Sequence, residues 1–273
     1  MSPLWRDRIG VELAPHRIAW VRLARGLQPG VVIKGMENVA PQTNAPVWQA
    51  ALAQLQQLMQ SQEWKNADVA IVLSNHFVRY DCLPWNAAVK SEEEQLALAR
   101  HRLLQVYGTM AQTWAARISP AKKGAARLVA AIDEALLEML KLATAEAGLK
   151  LYSVQPYLMA SFNHYAKQLT QSEGWFVAAE SGRFALALFR SGSWQHVQLR
   201  RGIGMAALHE WLERENLAIG DPTFCREVFL FAPELAKEAL LPDYQLHRME
   251  LPARHGYSPI TDVQYSIALS GVA

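Results

Sequence analysis

Several features that would narrow the function are scarce or missing. The 273-residue chain has only two cysteines, Cys82 and Cys225, far apart and each in an apolar setting. That excludes a disulfide framework and predicts two structural thiols in a reducing compartment. No apolar run approaches the roughly 18 residues that read as a membrane span. The opening MSPLWRDRIG has no apolar h-region, so no signal peptide is expected. Formal net charge is +2 and the basic residues are scattered, which argues against a nucleic-acid partner. The eight histidines form no H-x3-H or H-E-x-x-H grouping, so no metal site is expected. Ser119 and Lys122 match S-x-x-K, but they sit in a loop with Lys123 and Gly124 and not at a helix start. Gly202 and Gly204 form a lone G-x-G, explained by a strand-to-helix turn.

What is present is a duplication. Arg8–Glu37 and Gly174–Gly202 each read as a strand, a short break, a second strand, a tight turn and a third strand. In the first copy Ile9, Val11 and Leu13 alternate, and Gly26 to Gly30 supplies the hairpin turn. Asn44 and Pro46 predict the start of a helix whose apolar positions are Trp48, Leu52, Leu55 and Met59. The run VAIVL, Val69–Leu73, reads as a buried parallel strand. Residues 74–131 interrupt the pattern as a small α+β insertion. It comprises an edge strand Phe77–Leu83 ending at Pro84, a helix opened by the capping box Ser91/Glu94 and closed by Gly108, and strands Trp114–Ile118 and Arg127–Ile132. A helix capped by Asp133 and ending near Gly148, a strand Tyr152–Val154 and a helix through Leu158, Phe162, Tyr165 and Leu169 lead into the second meander.

The second copy is leaner. One amphipathic helix follows Gly204, carrying Leu208, Trp211 and Leu212. Next come a turn at Gly220, Asp221 and Pro222, a strand Val228–Phe231, a short helix Glu234–Leu241, a strand Tyr244–Leu251 and a helical close, Ile260–Leu269. The expected fold is α/β, with duplicated β-β-β-α-β-α domains at 1–155 and 156–273. The insertion belongs to the first domain, and the second is reduced.

The chain resembles the PilM family of actin-like cytoplasmic proteins of type IV pilus assembly. It is also similar to the cytoplasmic domain of type II secretion GspL proteins. The resemblance rests on IGVELAPHRIAWVRL, VAIVLSNHFVRYDCLPW, AEAGLKLYSVQPYLMASF and DVQYSIALSGVA, and on the order of elements along nearly the whole chain. It implies the actin-like, ribonuclease H-like fold, in which ATP is held by two hairpin turns and a third, glycine-rich turn. Backbone N–H groups in such turns form the phosphate site, so small residues are needed there.

This chain departs from that pattern at all three turns. A pattern like D-I-G-S-S-S falls on Glu12, Leu13, Ala14, Pro15, His16 and Arg17, and Pro15 removes a donor. D-I-G-A falls on Ala178, Ala179, Glu180 and Ser181, with Gly182 just after. The third turn's Gly-Gly falls on Ala232 and Pro233. The expectation is a non-enzyme with no cofactor. The alternative is a switch ATPase binding ATP with Mg through Glu12, Ser181 and Gly182, and a third reading is a self-assembling module.

The resemblance further implies a place at the cytoplasmic face of the inner membrane, without direct membrane insertion. There the protein would bind the N-terminal tail of a single-pass membrane protein and link it to a motor ATPase. Arg79, Tyr80, Leu83 and Trp85, at the entrance to the insertion, are the expected tail-binding residues, since a mixed aromatic and arginine surface suits a peptide groove. Arg200 and Arg201 read as a solvated strand end, and Glu92–Glu94 as a first turn favouring the helix dipole.

Overall fold

The computed structural model describes residues 6–27, 29–40, 42–169, 172–220, 224–235 and 240–272. The chain divides into two compact units. Unit 1 comprises residues 1–77, 134–164 and 250–273, and unit 2 comprises residues 78–133 and 165–249. This cut differs from the expected boundaries at 1–155 and 156–273. The insertion belongs with the second meander, and the chain's last residues return to the first sheet.

In unit 1, β1 (Asp7–Leu13), β2 (Arg17–Leu23) and β3 (Val31–Asn38) form the meander. β4 (Ala67–Leu73) and β8 (Lys150–Pro156) complete a five-stranded sheet in the order β3-β2-β1-β4-β8. β4 runs parallel to β1, pairing Val11 with Ile71, and every residue of β4 is buried. That is why VAIVL reads as an unbroken apolar run and not as alternation. Helix α1 (Gln49–Met59) packs against a later helix, α3 (Glu134–Glu146), with Leu52, Leu55, Leu136 and Leu140 all buried. The expected cap at Asn44 is not where α1 begins. Asn44 sits in a left-handed turn at φ +63°, Gln49 N donates to Pro46 O, and Trp48 precedes the first helical residue.

The chain's close is a 3-10 turn, Val263–Tyr265, followed by the short helix α6 (Ser266–Ser270). Ile260 and Thr261, expected to be helical, lie in a turn. α6 lies against β1, β2 and β4. Gly10 makes this possible, because a Cβ there would stand 2.3 Å from the carbonyl oxygen of Ala268.

Unit 2 repeats the sheet. β9 (Gly174–Glu180), β10 (Arg183–Arg190), β11 (Ser193–Arg201), β12 (Glu227–Phe231) and β13 (Gln245–Arg248) take the order β11-β10-β9-β12-β13, strand for strand the order of unit 1. Helix α5 (Gly204–Ile219) buries Leu208 and Leu212 against Trp175, Phe184, Leu186 and Leu230. Between β12 and β13 the expected helix Glu234–Leu241 falls partly on 236–239, outside the described residues, and Pro233 to Leu235 form a turn and bend. The turn residues Asp221 and Pro222 also lie outside the described residues. The helix α4 (Tyr157–Leu169) begins in unit 1 and ends in unit 2.

The insertion forms its own three-stranded sheet in the order β5-β7-β6, from β5 (Val78–Leu83), β6 (Trp114–Ile118) and β7 (Arg127–Asp133). Helix α2 (Glu92–Tyr107) covers it, burying Ala99 and Leu103 against Leu83, Val129 and Ala131. Ser91 and Glu94 form the capping box foreseen, and Gly108 ends the helix at φ +71°. β5 lies alongside β11, where the Cys82 thiol donates to Trp194 O at 3.3 Å.

Candidate functional site

The candidate turns are the β1–β2 turn, the β9–β10 turn and the turn after β12. In the β1–β2 turn, Glu12 is 1% exposed. Its carboxylate accepts from Arg17, Nε to Oε1 at 3.0 Å and Nη2 to both oxygens at 2.8 and 3.1 Å. The acid therefore faces a guanidinium from its own hairpin, and a two-toothed pair of this kind fixes geometry as well as charge. Ala14 N donates to Arg17 O at 3.1 Å, and Pro15 has no N–H to offer. Ala14 and Pro15 are both buried.

The β9–β10 turn is two residues, Ser181 and Gly182, with Gly182 at φ +73°. Nothing lies near a Cβ built on Gly182, so glycine is needed for the turn's handedness and not for a close approach. Glu180 stands opposite Arg183 and Arg183 opposite Arg201 across the strands. Burial, with Arg79 and Arg201 nearby, holds the Arg183 guanidinium below its ordinary value, against the pull of Glu180. After β12, Ala232 is buried, Pro233 lacks a donor, and Leu235 N turns back to Ala232 O at 3.1 Å. Among the described residues, no group of three or more histidine, cysteine or acidic side chains is placed to hold a metal ion.

The insertion carries a second candidate. An open groove of about 450 Å³ runs between the end of β5, the start of α2 and the β6–β7 loop. Leu83, Trp85, Val89 and Leu98 give it apolar walls, and Lys90, Lys123 and Arg127 are its charged residues, with no carboxylate among the lining residues. Trp85 is 47% exposed, unusual for a tryptophan. Gln95 also lines the groove, and its Oε1 is buried without a hydrogen-bond partner among the described residues. An asparagine turn shapes the near wall, with Ala88 N donating to Asn86 Oδ1 at 2.9 Å.

Of the four expected tail-binding residues, Leu83 and Trp85 meet in this groove. Tyr80 does not, because it is 5% exposed and its carbonyl accepts from Tyr107 Oη at 3.4 Å. Arg79 lies four residues back from Leu83, about 13 Å at the rise of an extended strand. Its guanidinium is 5.9 Å from the Trp114 ring. Four neighbours in sequence thus fail to make one surface, since a strand sends adjacent side chains to opposite faces and separates distant ones along its length. Lys90, Gln95, Lys123 and Arg127 were not foreseen. Lys123 lies in the β6–β7 loop beside the S-x-x-K match of Ser119 and Lys122, where paired lysines are a sign of a basic rim. Ser119 has a structural task, its Oγ accepting from Leu128 N at 2.9 Å.

Cys82 and Cys225 are free and part-buried. Burial, helped by Asp81, pushes the Cys82 thiol up to about 11. Arg200 is not the solvated strand end expected. It pairs with Glu215 at 2.6 Å and lies 5.0 Å over the Trp211 ring.

No protein-family model and no curated protein sequence matches the chain. Solved structures do. A structure of the PilM-PilN type IV pilus biogenesis complex is 16% identical, with TM-score 0.68 and 97% of each chain covered. The cytoplasmic domain of EpsL, an inner-membrane component of the type II secretion system of Vibrio cholerae, is 12% identical. Its TM-score is 0.58, and the match covers 97% of this chain and 94% of that one. A Bacteroides thetaiotaomicron protein with an actin-like ATPase fold and unknown function is 10% identical, with TM-score 0.57 and 85% of each chain covered. With two sheets of one strand order and these likenesses, the chain has the actin-like ATPase fold.

Proposed function

We propose that this protein is a non-catalytic actin-like scaffold of a type IV pilus or type II secretion platform. It would work at the cytoplasmic face of the inner membrane and bind the cytoplasmic tail of a single-pass membrane partner. The observation that carries the reading is the state of the three turns. Glu12 is paired with Arg17, Pro15 and Pro233 remove donors, and the second turn keeps only Gly182 for its shape. The likeness to PilM-PilN and to EpsL supports the setting. No helix of the described residues is long and apolar enough to cross a membrane, so the reading assigns recruitment to a partner.

The groove at Leu83, Trp85, Lys123 and Arg127 is the proposed seat of the tail. Its apolar walls suit a buried anchor side chain, and its three cations favour an acidic segment. Gln95 Oε1 would accept an N–H from an extended backbone. The test uses labelled synthetic peptides copying the cytoplasmic tails of single-pass proteins encoded beside this one, read by fluorescence anisotropy. One tail is expected to bind, with K123E/R127E weakening it at least tenfold and Trp85→Ala weakening it by about 2 kcal/mol. Failure of every tail, or unchanged affinity in both variants, would contradict the groove assignment.

A further inference from the structure

The end of the unit 1 sheet away from the Glu12 turn, where β1 begins and β2 ends, carries a cationic hollow of about 240 Å³. Arg6, Arg8 and Arg25 border it together with Leu27 and Pro29, and none of its lining residues is acidic. The nearest acids have basic or backbone partners. Asp7 accepts from Arg22 Nε at 2.8 Å and from Arg25 N at 3.0 Å, and Asp68 accepts from Arg6 at 3.4 Å. The Arg8 guanidinium lies 4.9 Å over the ring of Tyr152, itself 53% exposed. Leu27 stands at the β2–β3 hairpin tip and is 88% exposed, the most of any large apolar residue described. The hairpin's root is fastened, Ala24 N to Gly30 O at 3.0 Å and Val31 N to His255 O at 2.8 Å. The apolar tip is therefore presented from a secured base.

Cations around a hollow with a projecting leucine suit anionic headgroups over hydrocarbon. We propose that this end of unit 1 docks on an anionic phospholipid surface. Arg8 and Arg25 meet the headgroup phosphates, and Leu27 enters the acyl boundary. The contact is peripheral and uses residues of unit 1 alone.

The experiment is co-sedimentation of the full chain with vesicles of phosphatidylcholine alone and of equal parts phosphatidylcholine and phosphatidylglycerol. Retention is expected on the anionic vesicles only, falling as salt rises. R8Q/R25Q is expected to weaken it about thirtyfold, and Leu27→Ser about tenfold. K141Q, which removes an exposed charge from α3, is expected to leave it unchanged. Thermal melting checks that each variant is folded, and Leu27→Ser alone carries the test if the arginine variant is not. Equal retention on both vesicles, or full retention of R8Q/R25Q, would overturn the proposal. So would a wild-type chain stabilised by inorganic phosphate together with a Leu27→Ser chain that partitions normally, which would make the hollow a small-anion site.

Discussion

What Glu12 can do is set by the residue it faces. Glu12 stands at the end of β1, and Arg17, five residues on, closes around its carboxylate with three contacts of 2.8 to 3.1 Å. A buried carboxylate needs such a partner, because desolvation without one costs several kcal/mol. Arg17 was visible in the sequence only as the last residue of a degenerate pattern. Its pairing was not legible, because cross-hairpin reach depends on the turn's geometry.

Glu215 on α5 is the parallel case in unit 2, buried and bonded to His196 at 2.8 Å and Arg200 at 2.6 Å. Burial pushes its carboxyl up, but the bonds and charges of His196 and Arg200 outweigh it, so the group stays below the usual carboxylate range. A depressed carboxyl stabilises the fold above its unfolded-state pKa, and that contribution is lost as pH falls through the folded-state value. Glu215→Gln is expected to lose about 2 kcal/mol at neutral pH, discounted because both partners are partly exposed. The gap between variant and wild type should close on acidification through that range. Denaturant melts across pH check this, and a gap that stays constant would show that charge is not the cause.

Among the elements, those with strong local signals were legible and those set by tertiary contact were not. The capping box at Ser91 and Glu94 fixes the start of α2 by two reciprocal bonds between near neighbours, and it forms as read. Asn44 and Pro46 carry equally familiar signals, yet the helix starts later, because Asn44 adopts a left-handed turn that delays it. β4 was legible since burial on both faces demands an unbroken apolar run. The docking of α6 on β1 was not, as it rests on a missing side chain. Gly10→Ala would place a methyl group against the Ala268 carbonyl, and backbone cannot yield as a side-chain end does. The variant is expected to lose about 1–3 kcal/mol, and protection of the α6 amides from hydrogen exchange should fall more than that of α5. Equal loss in both helices would argue against a local effect.

Across the molecule, duplication was the most legible property, because two meanders of one pattern produce two sheets of one strand order. The partition into units was not legible. The last helix returns to the first sheet and the insertion joins the second meander, and neither step leaves a periodic trace in sequence. The groove was half legible: Leu83 and Trp85 stand beside Pro84, whereas Lys90, Gln95, Lys123 and Arg127 come from segments that only folding brings together.

The proposal that this actin-like fold works without nucleotide is decided by calorimetric titration of the purified protein with ATP and Mg²⁺. The protein concentration must be high enough to register millimolar affinity. The expected result is no saturable heat and no rise in melting temperature, since Pro15 and Pro233 carry no N–H and Glu12 is held by Arg17. Saturable, Mg-dependent heat that disappears in Gly182→Val would contradict it and make the protein a nucleotide-dependent switch.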